Sequence, residues 1–312
     1  MQLLHLKQLS KKIYMRNHWL DSPISYYAIY GVSKALPLKI CRRLGRMISL
    51  TVYLFSGKDR TGFAHNLSLA LGRSPQDASI RKLTRKIFIN YGEYMADFFF
   101  LPQKPPQVIQ QSFAFLKGES VIEKALARGK GVILISAHLG NWEFGGIMMR
   151  LAGYPLSVVT LPHNTEATNT LVNRFREARG IRVIELSASP FSAIAVLNQL
   201  RQNGVVAMIG DRDFLGNGKP VNYFGRKVNF PIGPVVAALA SGAAVIPAFV
   251  LKQADGRYFG VLENEIPLTR NGSREAVIEK NLAKIARVFE SYIRRYPEQW
   301  YSPDPIAEER SQ

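Results

Sequence analysis

Short aliphatic runs alternate with amphipathic segments over most of this chain. Four runs rich in branched residues are typical of strands buried on both faces of a sheet: residues 132–135, 156–160, 183–186 and 205–209. Four neighbouring segments have helical spacing: residues 119–128, 142–151, 165–179 and 190–202. The alternation predicts an α/β fold, with a mostly parallel central sheet flanked by helices.

The pattern continues to the carboxyl end with one change of strand direction. A helix is predicted at 232–240 and a buried strand at 244–251, and an Asp-Gly turn at 255–256 predicts an antiparallel partner at 258–263. The long helix predicted at 273–295 carries an apolar stripe that should face the sheet: Ile278, Leu282, Ile285 and Phe289.

The first third of the chain has a helical pattern instead. Helices are predicted at 26–38, 44–55, 59–71 and 79–100, and a proline-rich stretch at 103–111 predicts the connection to the sheet. We therefore divide the chain into a helical segment, 1–58, and an α/β domain, 59–312. Within that domain, 59–111 should be helical and 112–312 should form the sheet core.

Charge changes the interpretation of the helical segment. The chain has a formal net charge of +18, and sixteen Lys or Arg residues against three Asp fall within the first 90 positions. Such a block attracts phosphate, either in nucleic acid or at an anionic membrane surface. No helix-turn-helix, RNA-recognition or zinc-module pattern is present, so we predict no nucleic-acid partner.

The helices at 26–38 and 44–55 fall short of the ~20 apolar residues that span a bilayer. Their apolar faces and basic residues (Lys34, Lys39, Arg42, Arg43 and Arg46) are typical of interfacial helices with cations at headgroup level. Two core helices with a solvated basic face are the alternative, and a short hydrophobic insertion stays open. We predict a retained N-terminus, because no signal-peptide cleavage pattern follows Met1.

Candidate chemistry lies after the strand at 132–135. His138 stands just past the carboxyl end of this strand, where ligands bind in open α/β sheets. Asn141 is a plausible helix cap and Glu143 falls in the first helical turn. Because residues five apart diverge on a helix, His138 and Glu143 can meet only if Gly140 makes a tight turn. The alternative is a structural histidine near a helix cap.

Other polar groups follow the same logic. Asp211 and Asp213 come after the strand at 205–209, and so should reach the same sheet edge as His138. Their spacing lacks the bidentate Glu of an EF-hand, and the Gly-Lys pair at 218–219 lacks the ending of a phosphate-binding P-loop. The single cysteine, Cys41, fits a reducing cytoplasmic compartment. We predict no metal and no cofactor.

The segment SAHLGNWEFGG at 136–146 resembles the bacterial lipid A biosynthesis lauroyl/myristoyl acyltransferase family, and its His-x4-Glu core is similar to the motif of glycerolipid acyltransferases. Other segments fall in the family's order: Arg60 with Asn66, the Asp-Arg-Asp loop at 211–213, and the run at 222–249. The resemblance therefore covers roughly residues 26–301.

The resemblance implies an α/β acyltransferase in which His138 is the general base and Glu143 orients its imidazole, as in a Ser-His-Asp arrangement. It also implies an arginine on the helix at 165–179, for which we choose Arg176 by its distance from His138, with a solvated basic face as the alternative. A segment carrying Arg60 and Asn66 should lie beside the active-site groove and contact substrate. Asp211, Asp213 and Asn141 are further candidate substrate contacts. Backbone N–H groups after Asn141, or Arg176, would stabilise the oxyanion.

By the same resemblance, the donor is an acyl carrier protein or coenzyme A thioester and the acceptor is a glycolipid such as a lipid A precursor. A +18 enzyme would attract both an acidic carrier protein and anionic lipid. We expect a monomer on the cytoplasmic face of the inner membrane. Because the Trp300 region lacks the His-Arg-Arg ending of lipid A enzymes, another phospholipid, glycolipid or lipid-linked pigment stays open as acceptor. Two hypotheses from different functional classes also stay open: a lipid hydrolase and a non-catalytic basic membrane-binding protein.

Overall fold

The computed structural model describes residues 22–163, 165–186 and 191–307, and its α/β fold with a mostly parallel sheet confirms the prediction. Seven strands form the central sheet: β1 (Phe113–Lys117), β2 (Val132–Ser136), β3 (Leu156–Thr160), β4 (Arg182–Glu185), β5 (Val205–Ile209), β8 (Ala244–Lys252) and β9 (Tyr258–Leu262). A separate two-stranded hairpin joins β6 (Lys219–Tyr223) to β7 (Arg226–Phe230).

The strand order is β1-β9-β8-β2-β5-β3-β4. From β8 to β4 every neighbouring pair is parallel, whereas β9 runs antiparallel to β8, as the Asp-Gly turn predicts. In the central pair, Ser136 at the end of β2 lies beside Ile209 at the end of β5. The loops that leave these two strands therefore start side by side at one edge of the sheet.

Eleven α-helices occur in the described ranges: α1 (Pro23–Ala35), α2 (Leu38–Phe55), α3 (Gly57–Leu71), α4 (Ala78–Phe100), α5 (Pro106–Gln111), α6 (Glu119–Leu126), α7 (Trp142–Leu151), α8 (Glu166–Glu177), α9 (Phe191–Arg201), α10 (Gly233–Ser241) and α11 (Arg274–Arg295). Short 3-10 helices follow α4 and α11, at Leu101–Gln103 and Pro297–Gln299. The predicted start of α9 at Pro190, and residues 1–21 of the basic N-terminal block, lie outside the described residues.

The sequence pattern misses β1, α5 and the β6–β7 hairpin. α5 is a six-residue helix inside the stretch predicted as a connection, and its first residue is a proline, which is compatible with the first helical turn. β1 is a partly exposed strand at the edge of the sheet, and its apolar run, Phe-Ala-Phe-Leu, has none of the β-branched residues that mark the central strands. The hairpin strands carry exposed polar residues at alternate positions, and their inward residues are buried against other elements.

Helices cover both faces of the sheet. The predicted stripe of α11 is buried, with Phe289 fully inaccessible, and it packs into one core together with α10 and the β6–β7 hairpin. α6 and α7 cover the opposite face, where Phe144 and Ile122 join the second core. Each central strand is therefore apolar on both sides, which accounts for its continuous aliphatic sequence.

The N-terminal helices pack on α4 through two glycines. A Cβ atom at Gly45 of α2 would collide with the carbonyl oxygen of Gly92 on α4, and the reciprocal Cβ at Gly92 would collide with the Gly45 oxygen. Any side chain at this crossing would force the helices apart. The helical segment is thus in backbone contact with α4, while the predicted division at residue 58 stays a prediction.

Arg42 of α2 is bound inside the protein, contrary to the prediction that it lies at headgroup level, whereas Arg46 of the same helix forms an ion pair while its side chain stays 53% exposed. The Nε of Arg42 donates to buried Asp97 at 2.7 Å, and Arg46 pairs with Glu93. Lys252 of β8 contacts both carboxylates. The acidic residues on the buried face of α4 explain the difference, because they need cationic partners once they leave water. Lys34, Lys39 and Arg43 remain exposed or half-buried at the surface.

Within the described ranges, no helix has both the length and the apolar character needed to cross a bilayer.

Candidate active site

The loop between β2 and α7 carries the candidate histidine. Gly140 adopts a left-handed conformation with φ of 72°, and a Cβ there would collide with the carbonyl oxygen of Val250. Only glycine fits this turn, as the sequence predicts. The next residue, Asn141, donates its backbone N–H to Val250 and accepts the N–H of Phe144 through its side chain. Asn141 therefore caps α7, also as predicted.

The turn brings His138 against Asp211. The Nδ1 atom of His138 lies 2.6 Å from Oδ1 of Asp211, and the backbone N–H of His138 donates to Oδ2 at 3.1 Å. The sheet register explains this meeting: each residue lies two positions beyond the paired strand ends Ser136 and Ile209. Asp211 therefore meets His138 at this edge of the sheet, as predicted, whereas Asp213 turns away to accept the N–H groups of Gly216 and Gly218.

Electrostatics favour an ionised Asp211. Burial raises the pKa of this carboxyl, but the charge and hydrogen bonds of His138 and the charge of Arg212 outweigh it and hold the pKa below its usual value. The Asp211 side chain is about 1% exposed, and the His138 side chain is 20% exposed. A buried carboxylate is thus hydrogen-bonded to an imidazole that is partly accessible.

Glu143 does not orient the imidazole, and in this respect the prediction is wrong. The glutamate forms a two-point ion pair with Arg176 of α8, with Nε to Oε2 at 3.1 Å and Nη2 to Oε1 at 2.5 Å. Arg176 also donates to Asn173. The difference follows from strand order: β5 neighbours β2 directly, so Asp211 meets His138 first, while the first turn of α7 faces α8.

The Glu143–Arg176 pair is almost entirely buried, with side-chain exposures of 15% and 9%. Burial lowers the pKa of Arg176, but the charge and hydrogen bonds of Glu143 outweigh it and raise the pKa above its usual value. Arg176 therefore stays positively charged, and Glu143 binds it through two hydrogen bonds. Such a pair fixes the start of α7 relative to α8.

A cavity of about 1440 Å³ opens beside these groups. His138, Trp142, Glu143 and Arg176 line one part of it, and Tyr301 adds an aromatic wall. The remaining lining is mostly apolar and comes from the sheet, from α7 and from the N-terminal helices: Leu134, Ala207, Gly260, Met148, Ile48 and Phe98 among others. The cavity therefore has a polar part beside His138 and Arg176 and a larger apolar part. Phe98, from the aromatic end of α4, belongs to the apolar lining.

Of the predicted substrate-binding residues, Arg176 lines this cavity. Arg60 donates to the carbonyl groups of Tyr53 and Leu54, which end α2. Asn66 is buried and binds the backbone of the C-terminal segment. Substrate contacts for Arg60, Asn66, Asn141, Asp211 and Asp213 stay predictions.

Several cavity residues were missed from the sequence. His163 follows β3 by three positions, so the strand-end rule that identified His138 would also have selected it. Burial and the charge of Arg176 lower the pKa of His163 to about 4, which makes it a neutral imidazole near neutral pH. Arg212 lines the cavity as well, over the ring of Phe214 and paired with Asp304.

Trp300 was also missed. Its indole Nε1 donates to Oδ2 of Asp211 at 3.3 Å across 89 positions of sequence. No local sequence signal points to such a contact. Among the described residues, no cluster of three or more His, Cys, Asp or Glu side chains is placed to hold a metal ion.

Comparison with known proteins identifies the family of this chain. The profile of a family described as "Bacterial lipid A biosynthesis acyltransferase" matches residues 6–302. A phosphatidylinositol mannoside acyltransferase from Mycolicibacterium smegmatis is 26% identical over 246 residues, covering 77% of this chain and 77% of the relative. A phosphatidylinositol mannoside acyltransferase from Mycobacterium tuberculosis strain H37Rv is 29% identical over 174 residues, covering 55% of each chain.

Proposed function

This chain belongs to the bacterial lipid A biosynthesis acyltransferase family and is an acyltransferase, and from that premise we propose that it moves a fatty acyl group from a thioester to a hydroxyl of a glycolipid. The single observation that carries the proposed site is the hydrogen bond between His138 and buried Asp211 at the wall of a large apolar cavity. A histidine base that is hydrogen-bonded to a carboxylate and lines an apolar cavity suits proton removal from a lipid hydroxyl.

His138 acts as the general base in this proposal. Asp211 accepts the Nδ1–H and so leaves Nε2 of the imidazole to accept the proton of the acceptor hydroxyl. The hydroxyl oxygen forms a bond to the thioester carbonyl carbon, the carbon–sulfur bond breaks, and the leaving thiolate takes the proton back from the imidazolium. No protein nucleophile is needed, and the products are an ester and a free thiol.

The Glu143–Arg176 pair has a supporting part. It anchors the first turn of α7, where unpaired backbone N–H groups and the helix dipole favour negative charge. These N–H groups, together with the buried cation of Arg176, stabilise the oxyanion of the tetrahedral intermediate. Glu143 thus serves catalysis through Arg176 and the helix start, and Asp211 takes the orienting part that the sequence assigned to Glu143.

The acyl chain occupies the apolar part of the cavity. Its volume exceeds the ~300–1,000 Å³ usual for small-molecule pockets, so it has room for a long chain and for part of a second lipid. The donor is an acyl carrier protein or coenzyme A thioester.

The acceptor is proposed from the relatives. Both named relatives are phosphatidylinositol mannoside acyltransferases, and the family is described by lipid A biosynthesis. A glycolipid is the class that both descriptions share, and a lipid A precursor is one member of it. A different phospholipid or a lipid-linked pigment remains the alternative acceptor.

Membrane association follows from the family, and we propose peripheral binding at the cytoplasmic face of the inner membrane. Exposed apolar side chains cluster on α2, with Phe55 84%, Leu54 65% and Met47 64% exposed. Lys39 and Arg43 lie on the same helix with solvent access. An apolar helix face flanked by cations suits the headgroup boundary of an anionic bilayer.

The test incubates the purified chain with labelled acyl carrier protein or acyl-coenzyme A, with and without extracted membrane lipids. Label that appears in a glycolipid, and only when lipids are added, supports the proposal. Release of free fatty acid would instead indicate a hydrolase, in which water replaces the lipid hydroxyl. Absence of turnover with both donors and with glycolipid acceptors would leave a basic membrane-binding protein.

A further inference from the structure

Trp300 is bound to the proposed catalytic pair from within the protein. Its side chain is buried, at 1% exposed, and its indole Nε1–H donates to Oδ2 of Asp211 at 3.3 Å. The same oxygen accepts the backbone N–H of His138 at 3.1 Å. Two N–H donors therefore hold Oδ2, which leaves Oδ1 to bind Nδ1 of His138 at 2.6 Å.

The backbone around Trp300 is tied to the loop that carries the histidine. The N–H of Tyr301 donates to the carbonyl of His138 at 2.7 Å, and the N–H of Gly140 donates to the carbonyl of Gln299 at 2.9 Å. Leu139 and Trp300 form an antiparallel bridge between these two bonds. Any shift of the histidine loop would therefore move the indole with it.

The segment that follows Trp300 is anchored on α3. The side-chain amide of Asn66 donates to the carbonyls of Ser302 at 2.7 Å and Asp304 at 2.8 Å, and accepts the N–H of Ile306 at 3.0 Å. At Gly62 a Cβ would collide with the carbonyl of Pro303. The C-terminal segment is thus fixed on both sides of the indole.

We propose that Trp300 is a positioning residue for acyl transfer. Its N–H fixes the rotation of the Asp211 carboxylate, so that Oδ1 always faces Nδ1 of His138. This keeps the imidazole in the tautomer whose Nε2 can accept a proton from the acceptor hydroxyl. The inference rests on the proposed function of His138 as the general base.

The decisive change removes the N–H and keeps the ring. Trp300→Phe retains an aromatic group against Phe224, whose ring centroid lies 5.7 Å from that of Trp300. Replacement of Trp300 by benzothienylalanine keeps the bicyclic shape as well. Both should lower kcat about ten- to a hundredfold with KM unchanged, because a hydrogen bond to a charged group is lost while substrate contacts stay.

A second readout does not depend on activity. In protein labelled with ¹⁵N-histidine, the ring nitrogen shifts of His138 report its tautomer. We expect one tautomer in the wild type and a mixture in the Trp300 variants. Leu282→Ala, which opens a cavity in a core residue of α11 that is 1% exposed, is the control for lost stability. It should keep kcat per folded molecule and the single tautomer.

A Trp300→Phe protein with wild-type kcat, or with lowered kcat but one unchanged tautomer of His138, would overturn the inference. In the second case Trp300 would have only a structural role. If the wild-type protein transfers no acyl group, the proposed function fails, and the tautomer measurement still decides whether Trp300 orders the pair.

Discussion

Nδ1 of His138 and Oδ1 of Asp211 lie 2.6 Å apart, although 73 positions separate the two residues in the sequence. The contact arises because β2 and β5 are neighbours in parallel register, so residues two positions past their ends meet. Since Asp211 is buried, solvent does not stabilise its charge, which is held by hydrogen bonds with His138 and Trp300 and by the nearby positive charge of Arg212.

The first prediction concerns this carboxylate. Asp211→Asn should lower kcat by about 10²–10⁴-fold, because an amide can hold the imidazole in the wrong tautomer and cannot stabilise its cation. Steady-state transfer to glycolipid measures the effect. Asp97→Asn is a suitable control, since Asp97 is an equally buried carboxylate that binds Arg42 and Tyr258.

Asp213→Asn separates the two aspartates of the loop. Asp213 accepts the N–H groups of Gly216 and Gly218, contacts that an asparagine oxygen can partly keep. We expect a much smaller loss of kcat than for Asp211→Asn. Equal losses in the two variants would show that the loop, rather than the Asp211 carboxylate, is what catalysis needs.

The second prediction concerns the Glu143–Arg176 pair. Glu143→Gln and Arg176→Gln should each lower the free energy of unfolding by about 3–5 kcal/mol, because each leaves a buried charge without its partner. The double variant should lose less than the sum of the two single variants. Urea unfolding of the four proteins measures the coupling.

Glu143→Gln and Asp211→Asn together test which carboxylate orients the His138 imidazole. The ¹⁵N shifts of His138 should report one unchanged tautomer in Glu143→Gln and a mixture in Asp211→Asn. The reverse pattern would return the orienting role to Glu143 and contradict the contacts of this structure.

The sequence predicts those features of the structure that depend on neighbouring residues in the chain. The bounds of β3, β5 and α7 agree with the predicted ranges, since apolar periodicity and a capping asparagine are local signals. The carboxylate partner of His138 could not be found in this way. It depends on strand order, which alternation alone does not determine, and the His-x4-Glu motif pointed to Glu143 instead.

Distance in sequence explains the remaining omissions. Trp300 reaches Asp211 across 89 positions of sequence. Arg42 looks like a surface cation until Asp97 of α4 is seen to face it. His163 is different, because it stands just past a strand end and the local pattern is enough to select it.

The third prediction concerns the membrane face. Leu54→Ser should weaken binding to vesicles containing anionic lipid about tenfold, because burial of a leucine side chain contributes roughly 1.5–3 kcal/mol. Ile194→Ser on α9 is the matched control: Ile194 is 49% exposed and Leu54 is 65% exposed. Vesicle co-sedimentation at several salt concentrations measures both. Equal losses in the two variants would place the bilayer contact elsewhere.

The fourth prediction concerns pH. His163 has its pKa lowered from 6.5 to about 4 in the folded protein. Between these values the unfolded chain binds a proton that the folded protein does not, so acid favours unfolding. The free energy of unfolding should therefore fall as the pH drops from 6.5 to 4, and this fall should be smaller in His163→Gln. Urea titrations across this range measure the difference, and identical pH profiles would contradict the neutral state of His163 in the folded protein.

The most direct measurement is the rate of lipid-dependent acyl transfer by His138→Ala, per folded molecule and beside the wild type. Circular dichroism and urea unfolding establish the folded fraction. We expect a fall of about 10²–10⁴-fold, because the hydroxyl would attack without a base. Wild-type turnover by the folded variant would contradict the assignment of His138 as the general base.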